Sequence, residues 1–309
     1  MKILKKIMML TLAASLLLSS QIAALATIDE LWGVPFLAYG ASLSEAELEQ
    51  MHTLFGLEAG NFDSVAVDGH DLVYFLGRGN PNSSMLSSAL ITHREAGTGV
   101  EVEILTPNNI TRVTDTQYAT AMITAGVTDA LVQVASPQMV TGEAALAGIY
   151  KAFSERGVEL DEARMAVAQE QLEITSNIAD YHEDNDNFDS TILDQAVIEI
   201  QGWLADHYEE TGQLATPEEI ENIINEVLEN NNLDGIITPN QLQNILGFAS
   251  RFQLTDAINS PEFRNQLNSL ADRVGNLISD LNLNIDNLDR STLRTWWDNA
   301  INWLRGLFS

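Results

Sequence analysis

Residues 230–241, NNNLDGIITPNQ, can be aligned with the twelve-residue calcium-binding loop of an EF-hand. The aligned ligand positions are Asn230, Asn232, Asp234, Ile236 through its carbonyl oxygen, and Gln241. Asn230 stands where the first aspartate is usual, and Gln241 replaces the bidentate glutamate, so a single carboxylate remains for the ion. We therefore expect any calcium binding to be weak, in the millimolar range of extracellular modules.

The same twelve residues also fit a purely structural interpretation, which we favour. A helix would end near Asp234 and Gly235, and Thr238 would cap a second helix that begins at Pro239. This arrangement needs no ion. Calcium is therefore the one cofactor that the sequence brings into consideration, and we expect none in the protein.

Other catalytic patterns are missing from the chain. It contains neither the zinc-protease pattern HExxH, nor the nucleophile elbow GxSxG, nor a phosphate-binding glycine loop. The five histidines share no spacing of three or four residues, and the chain has no cysteine. We expect a binding protein, with its site on loops near Thr141, Gly142 and Glu143. A cell-surface hydrolase that uses the same loops is the alternative.

The C-terminal residues predict an amphipathic helix with an aromatic face. On a helical wheel, one face of residues 293–308 carries Trp296, Trp297, Trp303, Leu304, Leu307 and Phe308. Tryptophan-rich helices of this kind settle at membrane interfaces. Terminal helices also close the core of helical domains. The sequence supports the two interpretations, contact with a membrane or partner and packing in the core, equally.

The first 26 residues predict a signal peptide. Lys2, Lys5 and Lys6 form a positive segment, an apolar run follows from residue 7 to 18, and residues 24–26 read Ala-Leu-Ala. We expect an exported protein, extracellular or attached to the cell envelope, whose mature chain starts at Thr27. That chain would carry 12 basic residues against 44 acidic ones, a net charge of −32, which argues against nucleic acid as a partner.

The region after the signal peptide predicts a sheet covered by helices. Strand patterns occur at Val34–Tyr39, Ser64–Val67, Ser88–His93, Val100–Leu105 and Ala130–Val134. Capped helices are predicted after Ser44 and Thr114, and a third helix is predicted to begin near Gly142. This alternation of strands and helices is typical of an α/β domain.

Helical patterns alone follow the acidic segment 180–190, which we expect to be a linker. Thr216-Pro217, Thr238-Pro239 and Ser260-Pro261 each predict a helix start. The last of these helices would pack through an apolar stripe: Leu267, Leu270, Val274, Leu277 and Leu281. The predicted class is α+β, a mixed-sheet α/β domain (27–179) followed by an all-α region (191–291) and the amphipathic helix (292–309).

Several strings of residues resemble the YpuA-like extracytoplasmic proteins of Gram-positive bacteria, a family defined as a domain of unknown function. They are Ala38-Tyr39-Gly40-Ala41-Ser42-Leu43-Ser44, Asn109-Ile110-Thr111, Thr124-Ala125-Gly126-Val127 and the segment from Val140 to Ile149, with Lys151-Ala152-Phe153 following. The resemblance covers about Val34 to Ile174, and the later helices more loosely. It implies an exported, envelope-associated protein without an established enzymatic activity, and it carries over no catalytic residues.

Taken together, these features predict a secreted protein that binds an envelope polymer or an envelope protein. The amphipathic C-terminal helix would hold it near the membrane surface. A weak, calcium-responsive adhesion module is a further alternative to the hydrolase.

Overall fold

The computed structural model describes residues 32–280. Within that range the chain divides into two compact units. The first unit comprises residues 32–115 and 127–166, and the second comprises residues 116–126 and 167–280. One continuous helix, residues 162–181, runs from the first unit into the second.

The first unit is built on a five-stranded mixed sheet. Its strands are β1 (Phe36–Gly40), β2 (Asp63–Val67), β3 (Ser88–His93), β4 (Val100–Ile104) and β5 (Ala130–Ala135), in the order β2-β1-β3-β5-β4. The pairs β1–β2 and β4–β5 are parallel, whereas β3 is antiparallel to both β1 and β5. All five predicted strands and the α+β class are confirmed.

Nine α-helices lie in the described range. They are α1 (Glu45–Leu54), α2 (Gly69–Leu76), α3 (Asp115–Ala125), α4 (Ala144–Glu155), α5 (Glu162–Tyr181), α6 (Ser190–Thr211), α7 (Pro217–Asn230), α8 (Pro239–Phe252) and α9 (Pro261–Asp280). The predicted capping box at Ser44 is present, and the helix starts predicted at Thr216-Pro217 and Thr238-Pro239 are observed. Thr216 and Thr238 each also form a capping box. Helix α2 was not predicted from the sequence, although Asp68 and Asp71 form a capping box at its start.

Helices cover both faces of the sheet, because successive strand residues point to opposite faces. On one face, Leu37 and Leu90 are buried with Met51 of α1. On the other face, a Cβ atom added to Gly148 of α4 would lie 3.3 Å from the Cβ of Ala38. Helix α4 therefore lies directly on the sheet, and α2 packs beside it.

The second unit is helical in the described range. Helix α6 is central, since it contacts α7, α8, α9 and a short 3₁₀ helix at Asp256–Asn259. The predicted stripe on α9 is buried at Leu267, Leu270 and Val274. The next buried residue of this stripe is Ile278, whereas Leu277 is 42% exposed. A step of four residues from Val274 stays on the buried face of the helix, and a step of three does not.

Candidate functional site

Two of the strings that carry the family resemblance lie side by side at the start of α4. Val140 donates a backbone hydrogen bond of 2.8 Å to the Asn109 carbonyl, and Thr111 donates one of 3.0 Å back to the Val140 carbonyl. The Arg112 amide likewise donates to the Thr141 carbonyl over 3.3 Å. These hydrogen bonds hold residues 109–112 next to residues 140–141. The residues that carry the family resemblance therefore have a structural role at this point of the fold.

Glu143 lies between two arginines. Its Oε2 is 3.3 Å from Nη2 of Arg78, and its Oε1 is 3.6 Å from Nη1 of Arg112. The carboxylate is 22% exposed. Gly142, with φ of 99°, turns the chain into α4. The predicted residues Thr141, Gly142 and Glu143 therefore lie at one end of α4, and Glu143 cross-links α4 to two other segments.

A cavity of about 400 Å³ lies toward the other end of α4, within the first unit. Helix α2, helix α4, the loop after α4 and the first turn of α5 form its wall. The lining residues are Tyr74, Phe75, Tyr150, Ser154, Val158, Glu159, Leu160, Glu162 and Met165. Sequence reasoning missed this site, because its residues come from two stretches of the chain, 74–75 and 150–165, that only the fold brings together.

Tyr150 of α4 is buried behind the wall of the cavity. The side chain is fully buried, and its hydroxyl has no hydrogen-bond partner among the described residues. Burial raises the pKa of Tyr150 far above its usual range, against the opposing effect of the Arg164 charge. The phenol is therefore neutral. A buried hydroxyl without a hydrogen-bond partner costs folding free energy.

Lys151 fixes the helix that supplies two aromatic wall residues. Its Nζ donates hydrogen bonds to the Ala66 carbonyl at 2.8 Å and to Oδ2 of Asp71 at 2.7 Å. Asp71 also completes the capping box of α2 with Asp68. Hydrogen bonds from the Asp71 and His70 amides lower the pKa of Asp68, so it stays ionised at the helix start. Tyr74 and Phe75 are thereby held in place on α2.

The predicted calcium ligands lie between α7 and α8. Asn230 is the last residue of α7, and Asn232 and Gly235 have φ of 53° and 73°. Oε1 of Gln241 accepts the Thr238 amide at 2.8 Å and lies 3.2 Å from Nε2 of His182. The Thr238 cap predicted from sequence is confirmed, whereas α7 ends at Asn230, four residues before the predicted end near Asp234. No group of three or more His, Asp or Glu side chains placed to hold a metal occurs within residues 32–280.

The predicted aromatic face lies outside the described residues. It comprises Trp296, Trp297, Trp303, Leu304, Leu307 and Phe308. Within residues 32–280, no helix is long and apolar enough to cross a membrane.

The strings of the resemblance also have packing reasons that are independent of any site. A Cβ atom on Gly40 would lie 2.2 Å from the carbonyl oxygen of Met85, so only glycine fits there. The Ser42 amide donates to the same carbonyl, and Oγ of Ser42 accepts the Met85 amide at 3.1 Å. Most of these residues therefore build the scaffold that carries the cavity.

Comparison with known proteins identifies the family. The profile described as "Protein of unknown function (DUF1002)" matches residues 39–270. The chain is 33% identical over 181 residues to "Uncharacterized protein YpuA" of Bacillus subtilis (strain 168), an alignment that covers 57% of this chain and 61% of that protein. The match thus spans less than two thirds of the relative's length, and no solved structure matches significantly. The family profile covers most of the chain, which therefore belongs to the DUF1002 family.

Proposed function

We propose that this protein is exported, associates with the cell envelope, and binds an envelope component in the cavity beside Tyr150. The observation that carries the proposal is the cavity itself, whose wall is formed by residues of α2, α4, the loop after α4 and α5. Binding sites for a small molecule, or for one unit of a polymer, are concave, and their walls combine apolar and polar groups. The signal-peptide pattern and the acidic composition support export.

The cavity is a better candidate for binding than the loops around Glu143. Both carboxylate oxygens of Glu143 face guanidinium groups, which suits a cross-link between Arg78, Arg112 and the start of α4. The cavity, in contrast, is a concave surface of about 400 Å³ whose two lining glutamates, Glu159 and Glu162, form no ion pair within residues 32–280. The alternative of a hydrolase site at residues 141–143 therefore has less support than a binding cavity at the other end of α4.

Pelleting with purified Gram-positive cell-wall sacculi tests this proposal. The chain starting at Thr27 should pellet with the sacculi, and Ser154→Trp should lower the bound fraction at least about tenfold, because the indole obstructs the lined cavity. Thr53→Trp is the matched control: it places the same side chain at an exposed position on α1, on the opposite face of the sheet. Equal pelleting of both variants would count against the cavity.

The amphipathic C-terminal helix is proposed to hold the protein near the membrane. The chain from Thr27 should pellet with neutral liposomes, and a version ending at Ser291 should not, because it lacks the aromatic face. Binding to anionic liposomes should be weaker, since a net charge of −32 is repelled by that surface. If the shortened chain pellets equally well, the helix has another role.

A further inference from the structure

We infer that residues 293–308 dock on the helical second unit, over two exposed leucines, Leu214 and Leu254, which we call the leucine pair. The inference rests on the amphipathic pattern used in the proposed function and adds a second contact for the same residues. Docking covers the aromatic face that membrane contact needs. The two contacts therefore exclude each other, and the helical unit regulates attachment of the protein to a membrane.

The leucine pair lies at one end of the second unit. Leu254 is 71% exposed, and Leu214 is 42% exposed. Their chain neighbours are joined directly, because Oε1 of Gln253 accepts the Ala215 amide at 2.9 Å and its Nε2 donates to the Ala215 carbonyl at 3.1 Å. Gln253 and Ala215 are themselves buried. These hydrogen bonds hold the two exposed leucines close together on a buried base.

The chain after α9 is long enough to return to the leucine pair. An ion pair between Arg264 and Glu209 places the start of α9 beside the end of α6, and Leu214 follows α6 directly. Helix α9 has 20 residues, so it is about 30 Å long and carries the chain away from the pair. Residues 281–292 span at most about 40 Å when extended, and a helix of residues 293–308 is about 24 Å long. The C-terminal residues can therefore reach back along α9 to the pair.

The composition of residues 290–309 fits the leucine pair. One predicted helical face carries three tryptophans, which supply a large apolar surface. Three arginines and one aspartate give this stretch a net charge of +2, whereas the mature chain as a whole carries −32. The stretch is therefore both apolar on one face and basic.

The charge around the leucine pair has the opposite sign. Glu210 and Glu218 are exposed, and each lies four residues from Leu214. Arg251 is the one lysine or arginine within four residues of either leucine, and it pairs with Glu170. These surroundings attract a basic segment and repel an acidic one. The C-terminal segment is therefore a better occupant than the acidic surface of a second copy.

Acrylamide quenching of tryptophan fluorescence tests docking in the absence of lipid. The chain starting at Thr27 has five tryptophans, and because Trp32 and Trp203 are buried, a change in quenching reports the three in residues 296–303. The double variant Leu214→Asp with Leu254→Asp should raise the quenching constant about twofold, because it shifts the segment from the docked to the free state.

Two further pairs of substitutions keep this test specific. Leu54→Asp with Tyr181→Asp is the matched control, because it changes two exposed apolar residues elsewhere and alters the net charge equally. It should leave quenching unchanged. Glu210→Gln with Glu218→Gln removes only exposed charge and leaves the packing intact, and it should raise quenching in the same direction as the leucine variant.

Pelleting with neutral liposomes tests the competition between the two contacts. The lipid concentration for half-maximal pelleting should be at least about threefold lower for Leu214→Asp with Leu254→Asp than for the wild type, because docked molecules cannot bind lipid. The same double variant ending at Ser291 should not pellet, which assigns the binding to the C-terminal residues.

The outcomes separate docking from the proposed membrane attachment. Unchanged quenching in the leucine and glutamate variants, or an equal rise in the control, would overturn docking even if the wild type pellets with liposomes. A rise in quenching without pelleting of any version would support docking and contradict membrane attachment. Equal lipid dependence of the wild type and the leucine variant would overturn the competition.

Discussion

Replacing Trp32 with alanine should lower the free energy of unfolding of the first unit by about 3–5 kcal/mol. Trp32 is 7% exposed and meets the ring of Phe153 at 4.9 Å and the ring of His93 at 5.7 Å between centroids. The guanidinium of Arg156 lies 5.7 Å from its centroid and donates a hydrogen bond to Asp63. The indole therefore joins the chain preceding β1 to α4, and its removal leaves a cavity and loses the cation–π contact.

Urea unfolding followed by circular dichroism measures this loss. Met139→Ala is the control, because the Met139 residue is 74% exposed in the same unit and its truncation should change stability by less than about 0.5 kcal/mol. Trp32→Phe should recover part of the loss, since it keeps an aromatic ring. A change below about 1 kcal/mol for Trp32→Ala would show that the segment before β1 contributes little to the fold.

Replacing Glu199 with glutamine should stabilise the protein increasingly as the pH rises. Glu199 is buried on α6, where its carboxyl accepts hydrogen bonds of 2.9 Å from the amides of Gln195 and Asn231. Burial raises the pKa of Glu199 despite these two hydrogen bonds, which act in the opposite direction. No cation pairs with it within residues 32–280, so its ionised form is buried at a cost of several kcal/mol.

The direction of the effect follows from proton linkage. When folding raises the pKa of a group, that group adds its full contribution to the free energy of unfolding only below its unfolded pKa, which is about 4.3 for glutamate. The contribution is lost as the pH rises through the folded pKa. Between the two values, the folded protein holds a proton that the unfolded chain releases. The wild type should therefore lose about 1.4 kcal/mol per pH unit from this group, whereas the neutral glutamine should lose none.

Urea unfolding of the wild type and Glu199→Gln between pH 4 and pH 9 tests this effect. The difference in free energy of unfolding should be small at pH 4 and should grow steadily in favour of the variant. Glu221→Gln, at an exposed position on α7, should run parallel to the wild type. If the free energy of unfolding of Glu199→Gln runs parallel to that of the wild type over this pH range, the buried carboxyl ionises without cost.

Local sequence patterns were sufficient to predict the sheet and most helix starts. Strand β3 was predicted with its observed bounds, because Ser88–His93 is a compact run of β-forming residues. The cap of Thr238 could likewise be predicted from the sequence, since Thr, Pro and Gln have fixed roles at a helix start. Helix α2 was missed because its eight residues are too few to show a clear helical period.

Local sequence patterns could not predict the candidate site. Glu143 was predicted as a site residue, but its two arginine partners are 65 and 31 residues away in sequence, and only the folded chain brings them together. The cavity joins Tyr74, Tyr150 and Glu159 through the packing of α2 on α4. The burial of the Tyr150 hydroxyl without a hydrogen-bond partner in the described chain is a property of the packed unit and has no signature in the sequence.

The most direct test of the binding cavity is methyl NMR with [¹³C-methyl]methionine. The chain from Thr27 contains five methionines, of which Met165 lines the cavity and exposed Met139 lies two residues before Thr141. On addition of soluble fragments from digested Gram-positive cell wall, we predict that the Met165 signal shifts while Met139 stays unchanged. A shift of Met139 with Met165 unmoved would contradict the account and would move the binding site to residues 141–143.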